Sequence, residues 1–336
     1  MYSIELRKMG TLGCVKIISK ENVIIVAAKI SWTLRCLVFL LRFGFAFLFY
    51  SGIVNPIIIW HGFAALLRYF LVKQGIPSGT AKHLAQIRAE FEEQSVQGQF
   101  KELYFDMTDR NIVVWSDIFS RVFDRKAPVR ILEIGSWEGR STLFLLTYFT
   151  QGHLTAVDTW AGSDEHQHNA PSDLRSLEAR FDSNLTPCAA RLTKRKGSSL
   201  HVLPQLLGEE QKFDVIYVDG SHFGDDVLAD GITAWRLLEK GGILIFDDFL
   251  WPGYLRARAN PAWAINLFLK YHAGEYKILN VSYQVILQKK LVFNDRVLTS
   301  LATVQYDDRR RFTKEFIKNL SSASQVMSGN MRPLER

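Results

Sequence analysis

Residues Arg130–Arg140, with the sequence RILEIGSWEGR, decide the fold of this chain. A short apolar run leads into Gly135 and Gly139, and Ser141–Tyr148 then has the pattern of a helix, so the glycines lie in a strand-to-helix turn. Glycine there lets the backbone approach a ligand closely, and the free N–H groups at the helix start attract an anionic group such as a carboxylate. We expect the ligand to contact Gly135, Ser136 and Gly139.

The next predicted strand, His153–Val157, ends in Asp158. This acid follows the turn by roughly 20 residues, where a nucleotide-binding fold places a carboxylate for ribose hydroxyls. Thr159 and Trp160 come next, and a flat aromatic at this point can lie against adenine. The spacing fits an adenosine-containing cofactor but not the dinucleotide fingerprint, because G-x-G-x-x-G needs a glycine where Trp137 stands.

A second serine-rich turn follows the predicted strand Arg191–Lys196. Ser198 and Ser199 can offer hydroxyls to the adenine edge. The alternative is that one of them simply caps the next helix.

Strand and helix patterns alternate through the middle of the chain. Phe213–Val218 predicts a buried strand, Asp225–Leu238 a helix that Gly241 and Gly242 stop, and Ile243–Phe246 another strand. Alternation predicts a parallel, doubly wound sheet whose ligands lie beyond the carboxyl ends of its strands.

The end of this region predicts a closing antiparallel pair, Tyr276–Leu279 with Tyr283–Gln288. The expected fold class is therefore α/β, a Rossmann-like doubly wound seven-stranded sheet with a C-terminal antiparallel hairpin, preceded by hydrophobic N-terminal helices.

Acidic residues follow two strands that should be neighbours, about 5 Å apart. Asp219, which we also expect to contact the cofactor, follows one strand, and Asp247 and Asp248 follow the other. Carboxylates that converge repel each other unless they share a cation, and oxygen ligands favour Mg²⁺ or Mn²⁺ over zinc. His222 is placed to take a proton from a substrate hydroxyl near neutral pH. The alternative is that the two later acids only cap a helix and that His222 is structural.

Composition excludes several classes of protein. The 336 residues are 48% hydrophobic, which excludes a disordered chain. The net charge of +7 is concentrated in residues 1–42 and after residue 290, so the near-neutral middle argues against nucleic-acid binding. The three cysteines have no C-x-x-C spacing, which suggests a reducing compartment and no zinc site.

Residues 22–72 are mostly apolar, and Phe43–Leu67 carries no charge. The uncharged length suffices to cross a bilayer, but Ser51, Gly52, Asn55 and Pro56 also allow a kinked helix, a re-entrant hairpin or two interfacial helices. We expect membrane association with the catalytic domain in the cytoplasm. The alternative is a buried cap or an oligomer contact, and a homo-oligomer is compatible with the sequence.

Five segments together resemble the class I S-adenosylmethionine (SAM)-dependent methyltransferases, in the metal-dependent O-methyltransferase branch of the catechol and macrocin types. They are LEIGSWEGRSTL, AVDTW, KGSSLHVLPQL, VIYVDGSH and GGILIFDDF, within roughly residues 100 to 290. The resemblance implies that Glu133 and Ser141 reach the amino-acid end of SAM, Asp158 the ribose and Ser199 the adenine. It also implies that Asp219, Asp247 and Asp248 hold the ion.

Two residues depart from the catechol type. His222 stands where those enzymes carry a lysine, which resembles the sugar-modifying branch, and Asp248 stands where they carry an asparagine. The expected function is metal-assisted methyl transfer to a hydroxyl of a sugar, glycan-like or other small molecule. The alternatives are a non-catalytic cofactor-binding accessory protein at a membrane and an NAD-dependent oxidoreductase.

The expected domains follow from these patterns. They are a basic head and hydrophobic segment (1–75), a helical lead-in (76–127), the SAM-dependent domain (128–290) and a basic C-terminal extension (291–336).

Overall fold

The computed structural model describes residues 56–76, 79–101, 110–162 and 174–291. Within them the helices are α1 (Pro56–Lys73), α2 (Thr80–Ser95), α3 (Arg110–Val122), α4 (Arg140–Tyr148), α5 (Leu177–Asn184), α6 (Ser199–Gly208), α7 (Gly224–Leu237) and α8 (Pro261–Tyr271). The strands are β1 (Arg130–Ile134), β2 (His153–Asp158), β3 (Leu192–Lys196), β4 (Phe213–Val218), β5 (Leu238–Phe246), β6 (Tyr276–Val281) and β7 (Val285–Lys289).

The strands form one sheet in the order β3-β2-β1-β4-β5-β7-β6. Strands β1 to β5 run parallel, while β7 is antiparallel to both β5 and β6. This confirms the predicted doubly wound, seven-stranded sheet and its antiparallel hairpin. The strand order reverses at β1, between β2 and β4, so the crevice for a ligand opens beyond the carboxyl ends of these strands.

Apolar residues are buried on both faces of the sheet. Along β1, Ile131 packs into one core cluster and Leu132 into the other, and both are fully buried. Helices α2 to α5 contribute to the first cluster and α6 to α8 to the second. Burial on both faces explains why the central strands are continuous apolar runs rather than alternating ones.

Strand β5 begins earlier than expected. It starts at Leu238, directly after α7, so Gly241 and Gly242 lie inside the strand instead of stopping the helix. The pairing of β4 with β5 shifts register between Phe213 and Val215, and Gly241 has a φ of 84°. Glycine tolerates this irregular backbone at no steric cost.

The described part of the hydrophobic N-terminal segment is α1. Arg68 on this helix donates hydrogen bonds to both carboxylate oxygens of Asp117 on α3, at 3.1 and 2.6 Å, and so fastens α1 to the domain. None of the helices described by the structure has the length and apolar character needed to cross a membrane. The predicted head, most of the uncharged stretch and the C-terminal extension lie outside the described residues.

The face of α1 that points away from the domain is apolar. Four large side chains on it are each more than 60% exposed, and we name this set the α1 stripe: Ile57, Trp60, Phe63 and Leu67.

Candidate active site

The turn after β1 is packed against the loop after β4. Gly135 has a φ of 85°, and a Cβ atom there would lie 2.0 Å from the carbonyl oxygen of Asp219. Gly139 has a φ of 83°, and its Cβ would lie 2.2 Å from Cδ2 of Leu185. Both glycines are therefore required by contacts within the protein, whereas the sequence suggested close approach to a ligand.

Buried polar groups surround this turn. Glu133 is fully buried, and the Thr142 hydroxyl donates a hydrogen bond to its Oε2. Burial raises the pKa of Glu133 to about 7, against the opposing influence of the Ser141, Thr142 and Ser136 hydroxyls. Among the described residues none offers a well-aligned hydrogen bond to Glu133 Oε1 or to Ser136 Oγ. Buried polar atoms are normally paired, so these two atoms fit a polar ligand that would complete them.

Asp158 closes the other side of the turn. Its Oδ2 accepts hydrogen bonds from the backbone N–H groups of Ser136 at 2.8 Å and Trp137 at 2.9 Å. Its Oδ1 accepts one from the N–H of Trp160 at 2.7 Å. The carboxylate thus lies where the sequence predicted an acid beside the turn, and it also fixes the turn's backbone.

The Trp160 ring packs close to this turn. Its side chain is 4% exposed, packs on Phe181 with ring centroids 4.8 Å apart, and donates its ring N–H to the carbonyl of Trp137. Lys194 lies over the ring at 4.5 Å. The ring lies in the core, φ at Trp160 is 50°, and its contact with adenine stays a prediction.

Two further cofactor candidates, Thr159 and Ser199, lie at the same edge of the sheet. Thr159 is exposed, and its hydroxyl accepts the N–H of Ala161 at 3.2 Å. Ser199 is the first residue of α6. The Ser198 side chain, in the capping position, makes no capping hydrogen bond, and the Ser199 hydroxyl has a hydrogen-bond partner in Asp230 on α7.

Asp219, His222 and Asp248 converge beyond β4 and β5. One ligand atom from each lies within 4.8 Å of the others. His222 Nε2 is 2.8 Å from Asp248 Oδ2, a hydrogen-bond distance. The two carboxylates offer the oxygen ligands that suit a hard divalent cation, and the imidazole beside them is placed as a base.

The acids of this cluster lie close enough for their charges to shift one another's pKa. Burial and the charges of Asp247 and Asp248 raise the pKa of Asp219 well above its usual range. Burial also acts to raise the pKa of Asp248, but the hydrogen bond and charge of His222, together with hydrogen bonds to Tyr283 and Asp219, hold that pKa below its ordinary value. A cation among these groups would relieve the repulsion between the carboxylates.

Asp247 faces a different set of partners. Burial and the charge of Asp248 raise the pKa of Asp247 to about 6. Its Oδ2 accepts hydrogen bonds from the Tyr217 hydroxyl and, at 2.8 Å, from Gln284 Nε2. Its Oδ1 accepts the backbone N–H of Asp248 at 2.7 Å. Sequence reasoning expected Asp247 among the ion's ligands, but the structure groups its side chain with these donors, and His222 completes the cluster of three.

Several neighbours of the cluster were missed from the sequence. Tyr217 lies two residues before Asp219 and therefore on the same side of β4, a signal that was available. Gln284 comes from the β6–β7 turn, and Arg110 lies over the ring of Tyr283 at 4.8 Å. These residues are distant in sequence, so no spacing rule could have found them.

Aromatic rings adjoin His222 on the open side. Its ring lies 4.7 Å from that of Trp251, which lies 4.9 Å from that of Tyr254. Phe223 is 4.5 Å from Tyr254. Trp251 and Tyr254 thus form an aromatic wall beside the histidine.

Comparison with known proteins identifies the region that contains these residues. The family model described as "Methyltransferase domain" matches residues 132–249, from the middle of β1 to just beyond Asp248. The chain contains a methyltransferase domain. Glu133, Asp158 and the three clustered residues Asp219, His222 and Asp248 all lie inside the matched region.

One curated relative is the O-methyltransferase hkm8 of Aspergillus hancockii, 29% identical over 123 residues. The match covers 36% of this chain and 43% of that relative, so the chain spans less than half of the relative's length.

Two solved structures are similar to part of this chain. The methyltransferase MycE of the mycinamycin biosynthetic pathway, solved with Mg, SAH and mycinamycin VI, is 16% identical, with 62% of this chain and 54% of MycE covered and a TM-score of 0.41. The SAH-bound methyltransferase PaMTH1 of Podospora anserina is 19% identical, with 61% and 87% covered and the same TM-score. The domain assignment rests on the family model and the observed strand order, not on these partial likenesses.

Proposed function

We propose that this protein transfers a methyl group from SAM to a hydroxyl of a small molecule, and that a divalent cation such as Mg²⁺ assists the transfer. The observation that carries the proposal is the cluster of Asp219, His222 and Asp248, whose ligand atoms lie within 4.8 Å of one another inside the methyltransferase domain. The turn at Gly135 contacts the loop that carries Asp219, because the backbone carbonyl of Asp219 lies against Gly135.

The cofactor is held by the turn between β1 and α4. Glu133 Oε1 and Ser136 Oγ, which lack well-aligned partners among the described residues, would bind the amino-acid end together with Ser141. The N-terminus of α4 attracts the cofactor carboxylate. Asp158 would accept the ribose hydroxyls, and Ser199 would meet the adenine edge. The cofactor supplies the methyl group.

His222 is the proposed base. In the tautomer whose Nε2–H donates to Asp248, the ring is oriented by that carboxylate and Nδ1 is the basic nitrogen, the same logic by which a carboxylate orients a catalytic histidine elsewhere. The acceptor hydroxyl would lose its proton to His222 as its oxygen bonds to the methyl carbon, while the bond from that carbon to the SAM sulfur breaks and S-adenosylhomocysteine leaves. A bound divalent cation lowers the pKa of a hydroxyl it contacts and fixes its position.

The acceptor is proposed to be a sugar, a glycan-like molecule or another small hydroxyl compound. The rings of Trp251 and Tyr254 beside His222 support this, because aromatic walls bind the apolar faces of such molecules while polar groups fix their orientation.

The test is a thermal-unfolding series on the whole chain with SAM, S-adenosylhomocysteine, NAD and Mg²⁺, alone and combined. A ligand that binds only the folded form, at 100 times its Kd, should add about 2.7 kcal/mol to the free energy of unfolding. We expect a shift with the two methionine-derived cofactors and none with NAD. A shift with NAD instead would favour the oxidoreductase alternative and overturn the proposal.

A screen of hydroxyl acceptors separates enzyme from accessory protein. We expect methylated product, and Asp248→Ala should remove the dependence on Mg²⁺ seen in the unfolding series. Cofactor binding without turnover on any acceptor, together with an unchanged cellular role for His222→Asn, would favour the non-catalytic alternative.

We further propose that the protein lies on an anionic membrane surface through the α1 stripe. An exposed row containing a tryptophan and a phenylalanine on one helix face suits the interface of a bilayer. The uncharged stretch continues this apolar character in the residues before α1, and the basic residues 1–42 would add attraction to anionic lipid.

Sedimentation with vesicles of phosphatidylglycerol and phosphatidylcholine tests this placement. We expect the whole chain to sediment with these vesicles, and a Trp60→Ser, Phe63→Ser variant to sediment less. Trp263→Ser is the matched control, since Trp263 is 50% exposed on α8, outside the stripe. Equal sedimentation of the stripe variant and wild type would contradict the proposal. A wild-type dimer that the stripe variant disrupts and the Trp263→Ser control does not would also contradict it.

A further inference from the structure

An arginine lies next to the neighbours of His222. Arg110 is the first residue of α3, and its guanidinium lies over the Tyr283 ring at 4.8 Å. The Tyr283 hydroxyl donates a hydrogen bond to Asp248, whose Oδ2 is 2.8 Å from His222 Nε2. One side chain thus separates the guanidinium from the carboxylate that orients the proposed base.

Arg110 has no hydrogen-bond or ion-pair partner within the part of the chain that the structure describes. Its Nε is buried, whereas its two terminal nitrogens are not enclosed by protein. A guanidinium stays charged in a protein, and a partly buried charge without a partner is costly. The open end of this side chain therefore fits a ligand anion that would accept its hydrogen bonds.

The acids of the cluster do not occupy the guanidinium. Burial lowers the pKa of Arg110, and the charges of Asp247 and Asp248 act in the opposite direction, so these acids are near it. Both acids nevertheless take their hydrogen bonds from other side chains. A cation held by the acids would add positive charge beside Arg110 and make an anionic ligand group more favourable still.

Two further arginines border the aromatic wall beside His222. Arg256 and Arg258 follow Tyr254 on the same loop, and both are exposed. Among the described residues neither forms an ion pair, not even with Asp225 or Asp226 at the start of α7. Positive charges around the opening of a site attract an anionic molecule and speed its approach.

We propose that Arg110 binds an anionic group of the acceptor, a carboxylate or a phosphate, and that the acceptor is therefore an acidic hydroxyl compound. The inference rests on the proposed function, because it presumes an acceptor beside His222. A guanidinium matches either anion with two parallel hydrogen bonds, whereas a lysine offers only a point charge. Binding of the anion would fix the position of the acceptor hydroxyl relative to SAM and His222.

The experiment compares the methylation of acceptors that differ in charge, on the whole chain with SAM and Mg²⁺. The matched acceptors are glucuronate and glucose-6-phosphate against glucose, and protocatechuate against protocatechualdehyde. We expect kcat/KM to be higher for an acid than for its neutral counterpart. Arg110→Met should reduce this preference by about 10- to 100-fold, the value of hydrogen bonds to a charged group. A larger preference for the phosphate than for the carboxylate, or the reverse, identifies the anion.

A conservative variant and a control on the same helix accompany Arg110→Met. Arg110→Lys keeps the charge but not the paired hydrogen bonds, so it should lose only part of the preference, and it carries the comparison if Arg110→Met does not fold. Arg121→Met is the matched control, since Arg121 lies at the other end of α3 and pairs with Asp117 at 3.1 Å. It should keep the wild-type preference. The shift in unfolding midpoint caused by S-adenosylhomocysteine reports that each variant folds.

Two outcomes of these assays would overturn the inference while the proposed function stands. One is that wild type methylates acids no better than their neutral counterparts. The other is that Arg110→Met lowers kcat/KM equally for both, which would mean that Arg110 only balances the charge of the acidic cluster.

If no acceptor is methylated, the proposed function fails on its own and binding decides the inference. Unfolding midpoints are then compared with S-adenosylhomocysteine and Mg²⁺, with and without each acid. A shift that an acid causes in wild type but not in Arg110→Met supports the inference. No shift with any acid, or equal shifts in the two proteins, overturns it.

Discussion

Backbone conformation determines one half of the site, and side-chain charges determine the other. On the cofactor side, the turn after β1 is set by the backbone: Gly135 and Gly139 adopt positive φ angles and pack where no Cβ fits. On the cation side, the loops after β4 and β5 are set by side chains, with acids that raise one another's pKa and are restrained by Tyr217 and His222. The cofactor side should therefore fail by steric clash, and the cation side by loss of charge.

The largest expected effect is on the cofactor side. Gly135→Ala places a methyl group 2.0 Å from the Asp219 carbonyl oxygen at a φ of 85°, so we expect a loss of free energy of unfolding on the order of 4 kcal/mol. Denaturant unfolding measures it, and cofactor binding should be lost as well.

Two other glycines separate the clash from the backbone strain. Gly274 has a φ of 92° and open space around it, so Gly274→Ala should cost only about 1 to 2 kcal/mol. Gly208, in α6, has no atom within 4 Å of its Cβ position, and alanine there should be neutral or stabilising by up to about 1 kcal/mol. A cost for Gly135→Ala no greater than that for Gly274→Ala would refute the steric account of the turn.

On the cation side, His222→Asn should lower turnover by roughly 10²- to 10⁴-fold while SAM affinity and the unfolding midpoint stay near those of wild type. The reason is that the variant removes the proposed base without disturbing the Gly135 turn. Single-turnover methylation and a cofactor titration measure the two quantities. His201→Asn, an exposed histidine on α6, is the control and should keep full activity.

A pH-dependent effect is expected from Glu133. Its pKa is raised to about 7 in the folded protein, so the folded state holds the proton more tightly than the unfolded state. Stability is therefore highest below the unfolded pKa and falls as pH rises through about 7, by at most about 3 kcal/mol.

Glu133→Gln removes this loss. The variant should gain stability relative to wild type as pH rises from about 4.5 to about 7, and the gain should level off above that. Urea unfolding across this pH range, without cofactor, measures the difference. Parallel stability curves for the two proteins would show that Glu133 is already ionised at low pH and would contradict the buried, neutral carboxyl.

The smallest effect concerns the surface charges of the cofactor side. Lys194 lies 4.5 Å from the centre of the Trp160 ring and pairs with Glu178 and Asp182. Lys194→Gln should lower the free energy of unfolding by about 1 kcal/mol or less. Lys196→Gln, whose side chain is 57% exposed and pairs with Glu178, should cost still less. Equal costs would mean that the contact with the ring contributes nothing.

Much of the fold followed from local pattern. The alternation of strands and helices, the turn at Gly135 and the acids at the ends of β4 and β5 are written in consecutive residues, and the structure confirms the sheet that they predict. The predicted start of β5 was wrong. A glycine pair usually ends a helix, whereas this pair lies inside the strand at a shift in register.

The site was predicted less completely. The sequence supplied Asp219, His222 and Asp248, but it could not tell that Asp247 turns to Tyr217 and Gln284, because that choice depends on a residue from the β6–β7 turn. It also missed the buried ion pair of Arg180 Nε with Glu138 Oε1, at 2.8 Å, which ties α5 to the cofactor turn. Partners brought together only by the folded chain leave no signal in spacing.

The contact between Gly135 and Asp219 has a consequence for how this protein can change over generations. Because the cofactor turn and the cation loop touch through their backbones, neither can accept a bulkier residue or a shifted path unless the other moves with it. The two motifs should be inherited as a pair, and grafting the turn of another methyltransferase into this chain should succeed only when the loop after β4 is transplanted too.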